Sequence, residues 1–229
     1  MRHVKFDLRS GGLLFACVLA VYSIWLLATE LIRPGLKPEL LLATAAQNSM
    51  MGSARSSIAA SLGMVRGDLW AERAFIDAAR VLGDRSPPNA ALPQEEASAI
   101  RAAAERAAAN APLSPLVWLI LATLTYEADP GLQIAREQLK MSYYTGPNDK
   151  GIMDRRLRFA ARSRAVDDPD LRNAIRREIR TILLRAPDLR PALVSAYRGA
   201  LPDARRFIEA TVSEVDPRFL FDLRRAASL

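Results

Sequence analysis

Residues 114–147 read SPLVWLILATLTYEADPGLQIAREQLKMSYYTGP, and this stretch decides the fold. It contains two segments with helical periodicity, at about 114–128 and 131–144. Each segment opens on a capping residue, Ser114 or Asp129, that is followed by a proline of the first helical turn. Because only a few residues separate the two segments, we predict that they pack side by side as antiparallel helices.

The same pattern extends in both directions from this pair. The chain has 11 glycines in 229 residues and few β-branched residues beside its alanine and leucine, which favours helices over strands. No stretch alternates apolar and polar residues as a half-buried strand does. Further helices are predicted at about 39–49, 53–64, 68–82, 94–110, 150–165, 168–185, 189–199, 203–213 and 217–227. The sequence therefore predicts an all-α domain.

The two central helices carry small and large residues at the spacing of a tetratricopeptide repeat. The matching residues are Trp118 and Ala122 on the first helix and Ala135, Leu139 and Pro147 on and after the second. In such a unit small residues let the helices approach, and large ones fill the groove between them. A later copy would use Leu157 and Ala161, and an earlier copy Trp70 and Ala74, at offsets longer than the ideal repeat.

Residues 53–187 therefore resemble a degenerate tetratricopeptide-repeat domain, and the resemblance implies a short α-solenoid that binds a protein partner. The run MSYYTGPN at residues 141–148 is also similar to segments of small anchored helical proteins of alphaproteobacteria, some linked to envelope polysaccharide production. The unit departs from the repeat pattern where Thr125 replaces the usual tyrosine of the first helix. A plain helical bundle with coincidental spacing is the alternative.

The N-terminal region contains a second decisive stretch. Residues 10–29, SGGLLFACVLAVYSIWLLAT, carry no charge and are long enough for a helix to cross a bilayer core of about 30 Å. This run is also too long for the apolar core of a typical signal peptide. Three Lys or Arg residues precede it and two follow it, which favours a cytoplasmic N-terminus. We therefore expect a single-pass protein of a bacterial inner membrane, with its C-terminal domain in the periplasm.

The predicted organisation has five parts. They are a cytoplasmic tail (1–9), a transmembrane helix (10–32), a linker with the first soluble helix (33–52), the repeat-like domain (53–187) and C-terminal capping helices (188–229). The last helices are short and amphipathic, and we expect them to cover the apolar edge of the final repeat.

Residue usage restricts the chemistry available to this domain. The chain has one histidine, His3, and one cysteine, Cys17, and both precede the domain. A Ser-His-Asp or Cys-His nucleophile system, or a zinc site with His and Cys ligands, cannot then be built inside it. No glycine-rich phosphate loop is present. The sequence predicts no catalytic residue, no metal and no cofactor, and we expect a protein that is not an enzyme.

The strongest candidate binding residues are arginines. Arg155, Arg158 and Arg162 recur at i, i+3 and i+7 and form one stripe on a predicted helix. Such a stripe can hold an anionic ligand such as an acidic peptide, a lipid head group or a glycan. A solvated face with local ion pairs is the alternative. Basic residues are not interleaved with stacking aromatics, so we do not expect nucleic-acid binding despite the net charge of +7.

Three functional hypotheses follow. The first is a membrane-anchored scaffold that binds a protein of the cell envelope, with polysaccharide assembly or export as one setting. The second is direct binding of an anionic glycan or lipid by the arginine stripe. The third is a glycan hydrolase or lyase that uses a pair of carboxylates from Glu95-Glu96 or Asp167-Asp168-Asp170, although capping of helix N-termini explains both clusters.

Overall fold

The computed structural model of the chain describes residues 8–32, 54–63, 66–83, 94–131 and 133–227. All regular secondary structure within these residues is helical. The predicted all-α fold class is therefore confirmed.

The residues outside the described ranges include most of the predicted tail, the predicted linker with its helix at about 39–49, and residues 84–93. The helices follow in chain order as α1 (Leu8–Ile32), α2 (54–62), α3 (Gly67–Gly83), α4 (Gln94–Asn110), α5 (Pro115–Ala128), α6 (Gln133–Thr145), α7 (Lys150–Arg162), α8 (Pro169–Arg185), α9 (Arg190–Arg198), α10 (Pro202–Val215) and α11 (Pro217–Ala227). Short 3₁₀ turns, Arg164–Asp167 and Pro187–Leu189, precede α8 and α9. The predicted helices from α2 onward agree with these bounds to within a few residues.

Helix α1 is long and apolar enough to cross a membrane. Its apolar part spans Gly11–Ile32, and none of its most apolar window is buried against the rest of the protein. Large apolar side chains such as Leu14 and Val21 are exposed along it. It is therefore not a core helix of the domain.

Helix α5 is the centre of the soluble part. Leu119 and Ala122 belong to a core cluster that extends through α11, whereas Ile120 and Leu124 belong to a second cluster with α3 and α4. A helix that packs on both sides must be apolar around most of its circumference. This explains the run PLVWLILATLTYEA, which carries a single charge.

The first two helix pairs are antiparallel hairpins. The Ser142 hydroxyl at the end of α6 donates a 2.8 Å hydrogen bond to the Pro115 carbonyl at the start of α5. The start of α3 likewise meets the end of α4, where Gly67 touches Asn110 and Ala111. The predicted repeat residues Trp70, Ala74, Ala122, Ala135 and Leu139 are all buried in these hairpins.

The later helices pair differently from a regular repeat. Helix α7 packs chiefly against α9, and α8 packs chiefly against α10, so α7 and α8 do not form a third close hairpin. Leu157 and Ala161, the predicted repeat positions of α7, are buried, whereas Trp118 is half-buried and Pro147 is exposed. The structure does not confirm a tetratricopeptide-like arrangement.

The C-terminal helices are part of the larger core. Leu193 of α9, Ile208 of α10 and Leu223 of α11 are almost completely buried and belong to the same cluster as Leu157. These helices therefore close the same apolar core to which α7 and α8 contribute.

Candidate functional site

The three arginines of the predicted stripe have three different environments. The Arg155 guanidinium stacks on the Phe75 ring of α3, 4.5 Å from its centroid, and burial lowers the pKa of Arg155. Arg158 forms an ion pair with Asp154 one turn before it. Of the three, only Arg162 is exposed, whereas Arg155 and Arg158 are half-buried. The stripe is therefore not a row of equivalent solvent-facing cations, although all three side chains lie on one helix.

The arginine beside the stripe, Arg156, has the most unusual position in the domain. Its side chain is completely buried and makes four hydrogen bonds. Nε and Nη2 donate to Glu178 Oε1 at 2.9 and 2.5 Å, and Nη1 donates to the carbonyls of Ser142 and Gly146 at 2.9 Å each. The Tyr143 hydroxyl donates to Glu178 Oε2 at 2.8 Å. This network joins α6, α7 and α8.

Burial dominates the electrostatics of this network. It raises the pKa of Glu178, and the charge and hydrogen bonds of Arg156 act against that rise. It also raises the pKa of Tyr143 well above its usual value, helped by the negative charge of Glu178. Because each group is enclosed by its partners with no access to a ligand, the network holds helices together rather than forming a binding site.

The two carboxylate clusters lie at helix starts. Glu95 and Glu96 are in the first turn of α4. Asp168 caps α8, because its Oδ1 accepts hydrogen bonds from the backbone N–H groups of Asp170 and Leu171 at 2.9 and 3.1 Å. Burial raises the pKa of Asp168, but Lys140 and these N–H groups outweigh it and lower the pKa overall. Capping, together with the 2.8 Å ion pair to Lys140, accounts for Asp168.

A cavity of about 380 Å³ opens between the α5–α6 turn, the end of α7 and the start of α10. Its apolar surface comes from the exposed Leu201 and the half-buried Tyr126, while Leu139 and Phe159 are almost completely buried behind them. The Tyr126 ring packs edge-on against Phe159 at 5.5 Å. The Tyr126 hydroxyl donates to the Arg162 carbonyl at 3.1 Å, which ties α5 to the end of α7. Nearby, the Leu201 N–H donates to the Ala161 carbonyl at 2.9 Å, which holds the start of α10 against α7.

The polar side of this cavity is basic. Arg136, in the first turn of α6, and Arg164, just after α7, both line it, together with Asp167. In the part of the chain that the structure describes, neither arginine forms an ion pair or a side-chain hydrogen bond. The N-terminus of α6 adds a positive helix dipole at the same place. The cavity therefore combines a partly apolar surface with a rim that carries two cations and one carboxylate.

The sequence alone does not indicate this cavity. Arg136 and Arg164 are 28 positions apart on different helices, and no local pattern links them. The predicted residue Ala135, next to Arg136, lines the cavity, but the predicted Arg162 side chain does not. Within the described residues, no group of three His, Cys, Asp or Glu side chains is placed to hold a metal ion.

Comparison with known proteins assigns no family. No protein-family model matches the sequence, and no curated protein and no solved structure matches it significantly. The function is therefore argued from this chain's own residues.

Proposed function

We propose that this protein is a membrane-anchored interaction module whose helical domain binds a protein partner of the bacterial cell envelope. The observation that carries the proposal is the combination of an unburied apolar helix, α1, with a domain that has a basic, partly apolar cavity. An apolar surface of this length is costly in water and favourable in a bilayer. A tethered domain with a recessed site suits a scaffold that collects a partner at the membrane.

The cavity suits a particular kind of segment. Leu201, which is exposed, and the half-buried Tyr126 offer an apolar surface for one side chain, and Arg136 and Arg164 line the same cavity and can pair with a carboxylate. A protein segment with an apolar residue next to an acidic one supplies both groups. A simple anionic polymer would use the arginines but would leave the apolar surface uncovered. This difference favours a protein partner over a glycan.

The location is part of the proposal. The excess of Lys and Arg before α1 supports a cytoplasmic N-terminus, an inner-membrane anchor and a periplasmic domain. The resemblance to anchored alphaproteobacterial proteins adds polysaccharide assembly or export as a setting. We expect alkaline phosphatase fused to the C-terminus to be active, and a fluorescent protein at the same place to remain dark. A fluorescent, phosphatase-inactive fusion would place the domain in the cytoplasm and contradict this orientation.

Partner binding is tested at the cavity itself. A photo-crosslinking amino acid at Leu201 is expected to capture a defined protein in the membranes of the native bacterium, identified by mass spectrometry. Adding Arg136→Glu and Arg164→Glu should reduce that adduct by at least about tenfold, since reversing two charges at one acidic contact costs more than about 1.4 kcal/mol.

The matched control changes the same net charge elsewhere. Arg177 and Arg180 are exposed on α8 and do not line the cavity, so Arg177→Glu with Arg180→Glu should leave the adduct intact. Equal loss in both double variants would show that only overall charge matters. If no protein is captured and an anionic polysaccharide binds the purified protein instead, the glycan-binding alternative is favoured.

A further inference from the structure

The C-terminal end of α1 is fastened to the domain by side-chain contacts. The Trp25 indole N–H donates a 2.9 Å hydrogen bond to the Leu62 carbonyl at the end of α2. One turn later, Arg66 Nη1 donates to the Thr29 hydroxyl and pairs with Glu30, each at 3.2 Å. Thr29 is completely buried. Helix α2 therefore ends beside Trp25, within the length of α1 rather than beyond its end.

The face of α1 turned away from the domain stays apolar past this point. Ile24, Leu27 and Leu31 recur at i, i+3 and i+7, and all three are exposed, Leu31 at 70 %. From Trp25 to Leu31 the helix rises about 9 Å. A bilayer that covers this face to Leu31 therefore reaches beyond the depth at which Leu62 meets α1.

Helix α2 presents a matching surface. Ile58 and Leu62, one turn apart, are 53 % and 41 % exposed, and Arg55 is exposed on the same side. The small residues Ala59 and Ala60 are buried towards the domain instead. Two exposed apolar side chains are ordinary by themselves, but these two lie on the helix that ends beside the apolar helix α1. At a membrane interface, apolar side chains flanked by a cation are the usual outward face of a helix.

We propose that α2 lies in the lipid interface, with Ile58 and Leu62 inserted among the acyl chains and Arg55 at the phosphate level. The occupant is identified by position, since the hydrogen bond from the Trp25 indole to the Leu62 carbonyl places the end of α2 against the apolar helix α1. The inference rests on the proposed anchoring by α1. It adds that the domain is held at a fixed angle against the bilayer, rather than swinging on a tether.

The test measures depth at single positions in the full chain. With Cys17→Ala as background, Ile58→Cys and Leu62→Cys are each labelled with an environment-sensitive fluorophore in nanodiscs of phosphatidylcholine and phosphatidylglycerol. Leu19→Cys in α1 is the lipid reference, and Leu184→Cys, an exposed leucine of α8, is the water reference. We expect the labels at 58 and 62 to resemble the one at 19. Their emission should be blue-shifted, quenched by lipid-borne nitroxides and several-fold less accessible to iodide than the label at 184.

The reference labels at positions 19 and 184 distinguish a failure of the α2 inference from a failure of the membrane anchor. If the labels at 58 and 62 behave like that at 184 while the label at 19 is quenched by lipid nitroxides, α2 does not touch the bilayer and the inference is overturned. A water-like label at 19 would overturn the anchor itself, and this inference with it. Because Ile58 and Leu62 are already exposed, their replacement by cysteine leaves the core packing of the domain in place.

Discussion

Replacing Glu178 by leucine, or Arg156 by methionine, is expected to lower the free energy of unfolding by about 3–5 kcal/mol. Each single change leaves one charged group buried without its partner, and the uncompensated charge carries most of the cost. Arg156→Met also removes the donors to the Ser142 and Gly146 carbonyls. The measurement is chemical unfolding of the full chain in detergent micelles, followed by circular dichroism at the helical signal.

The double variant measures the interaction energy between Arg156 and Glu178. With both charges gone, neither an unpaired cation nor an unpaired carboxylate remains, so Arg156→Met with Glu178→Leu should cost well below the sum of the single losses. A coupling of about 0.5–3 kcal/mol is typical of residues in contact. Arg206 and Asp203 form an exposed pair on α10, and the equivalent cycle there should show coupling of about 0–1 kcal/mol. Additive losses at the buried pair would contradict the network.

The pH dependence of the free energy of unfolding gives an independent test of the Arg156–Glu178 pair. Without Arg156, Glu178 can stay buried only in its neutral form, so the upward shift of its folded-state pKa should increase. A carboxyl with a folded-state pKa above its unfolded value of about 4.3 binds more protons when folded, and stability then falls as pH rises through that window. Arg156→Met should therefore be less destabilised near about pH 5 than near about pH 8. Glu178→Leu lacks the titrating group, so its own free energy of unfolding should not fall as pH rises through this window.

The helices themselves could be predicted because their signals are local. Asp168 before Pro169 predicts a helix start, and the structure places Asp168 as the cap of α8. The apolar run of α5 predicts a helix, and the structure adds the reason for its composition, two clusters on opposite sides. The uncharged run of residues 10–29 predicts a helix long enough to span a membrane, and α1 is such a helix.

The residue type of Arg156 gives no indication that its side chain is buried. Ile152, Met153, Leu157 and Ala160 lie on the buried face of α7, and Arg156 falls on that face by helical spacing alone. Periodicity could have indicated its burial, but an arginine is assigned to the surface by default. Its partner Glu178 lies 22 residues away on α8, and nothing in the local sequence identifies it.

Non-local packing could not be predicted. The pairing of α7 with α9 depends on which apolar faces fit together after several turns, and the repeat pattern favours α8 as the neighbour of α7 instead. The cavity with Arg136 and Arg164 arises from the same packing, since α6, α7 and the start of α10 must meet before it exists. The predicted arginine stripe follows from residue spacing on one helix, and that spacing cannot show that Arg155 packs against Phe75 of α3.

Gly67→Ala is the second substitution with a large expected effect. Overpacking and helix propensity change the free energy of unfolding there in opposite directions. The sequence predicts a helix at about 68–82, and the structure places Gly67 as the first residue of that helix, α3, and buries it. A Cβ built on it would lie 2.6 Å from the Ala111 Cβ, 2.8 Å from the Ala111 nitrogen and 2.9 Å from the Asn110 carbonyl carbon. Two of these three neighbours are backbone atoms, so no side-chain rotation relieves the overlap.

Gly67→Ala is therefore expected to lower the free energy of unfolding by about 1–3 kcal/mol, the usual cost of overpacking. Helix propensity alone predicts the reverse, a gain of up to about 1 kcal/mol. Gly199→Ala is the control, since its added Cβ meets nothing within 4 Å and its φ of −87° suits alanine. That variant should be neutral or gain about 0.4–1 kcal/mol through the unfolded chain. If both variants gain stability, α3 and α4 do not approach as closely as the hairpin requires, and the packing of the first helix pair is wrong.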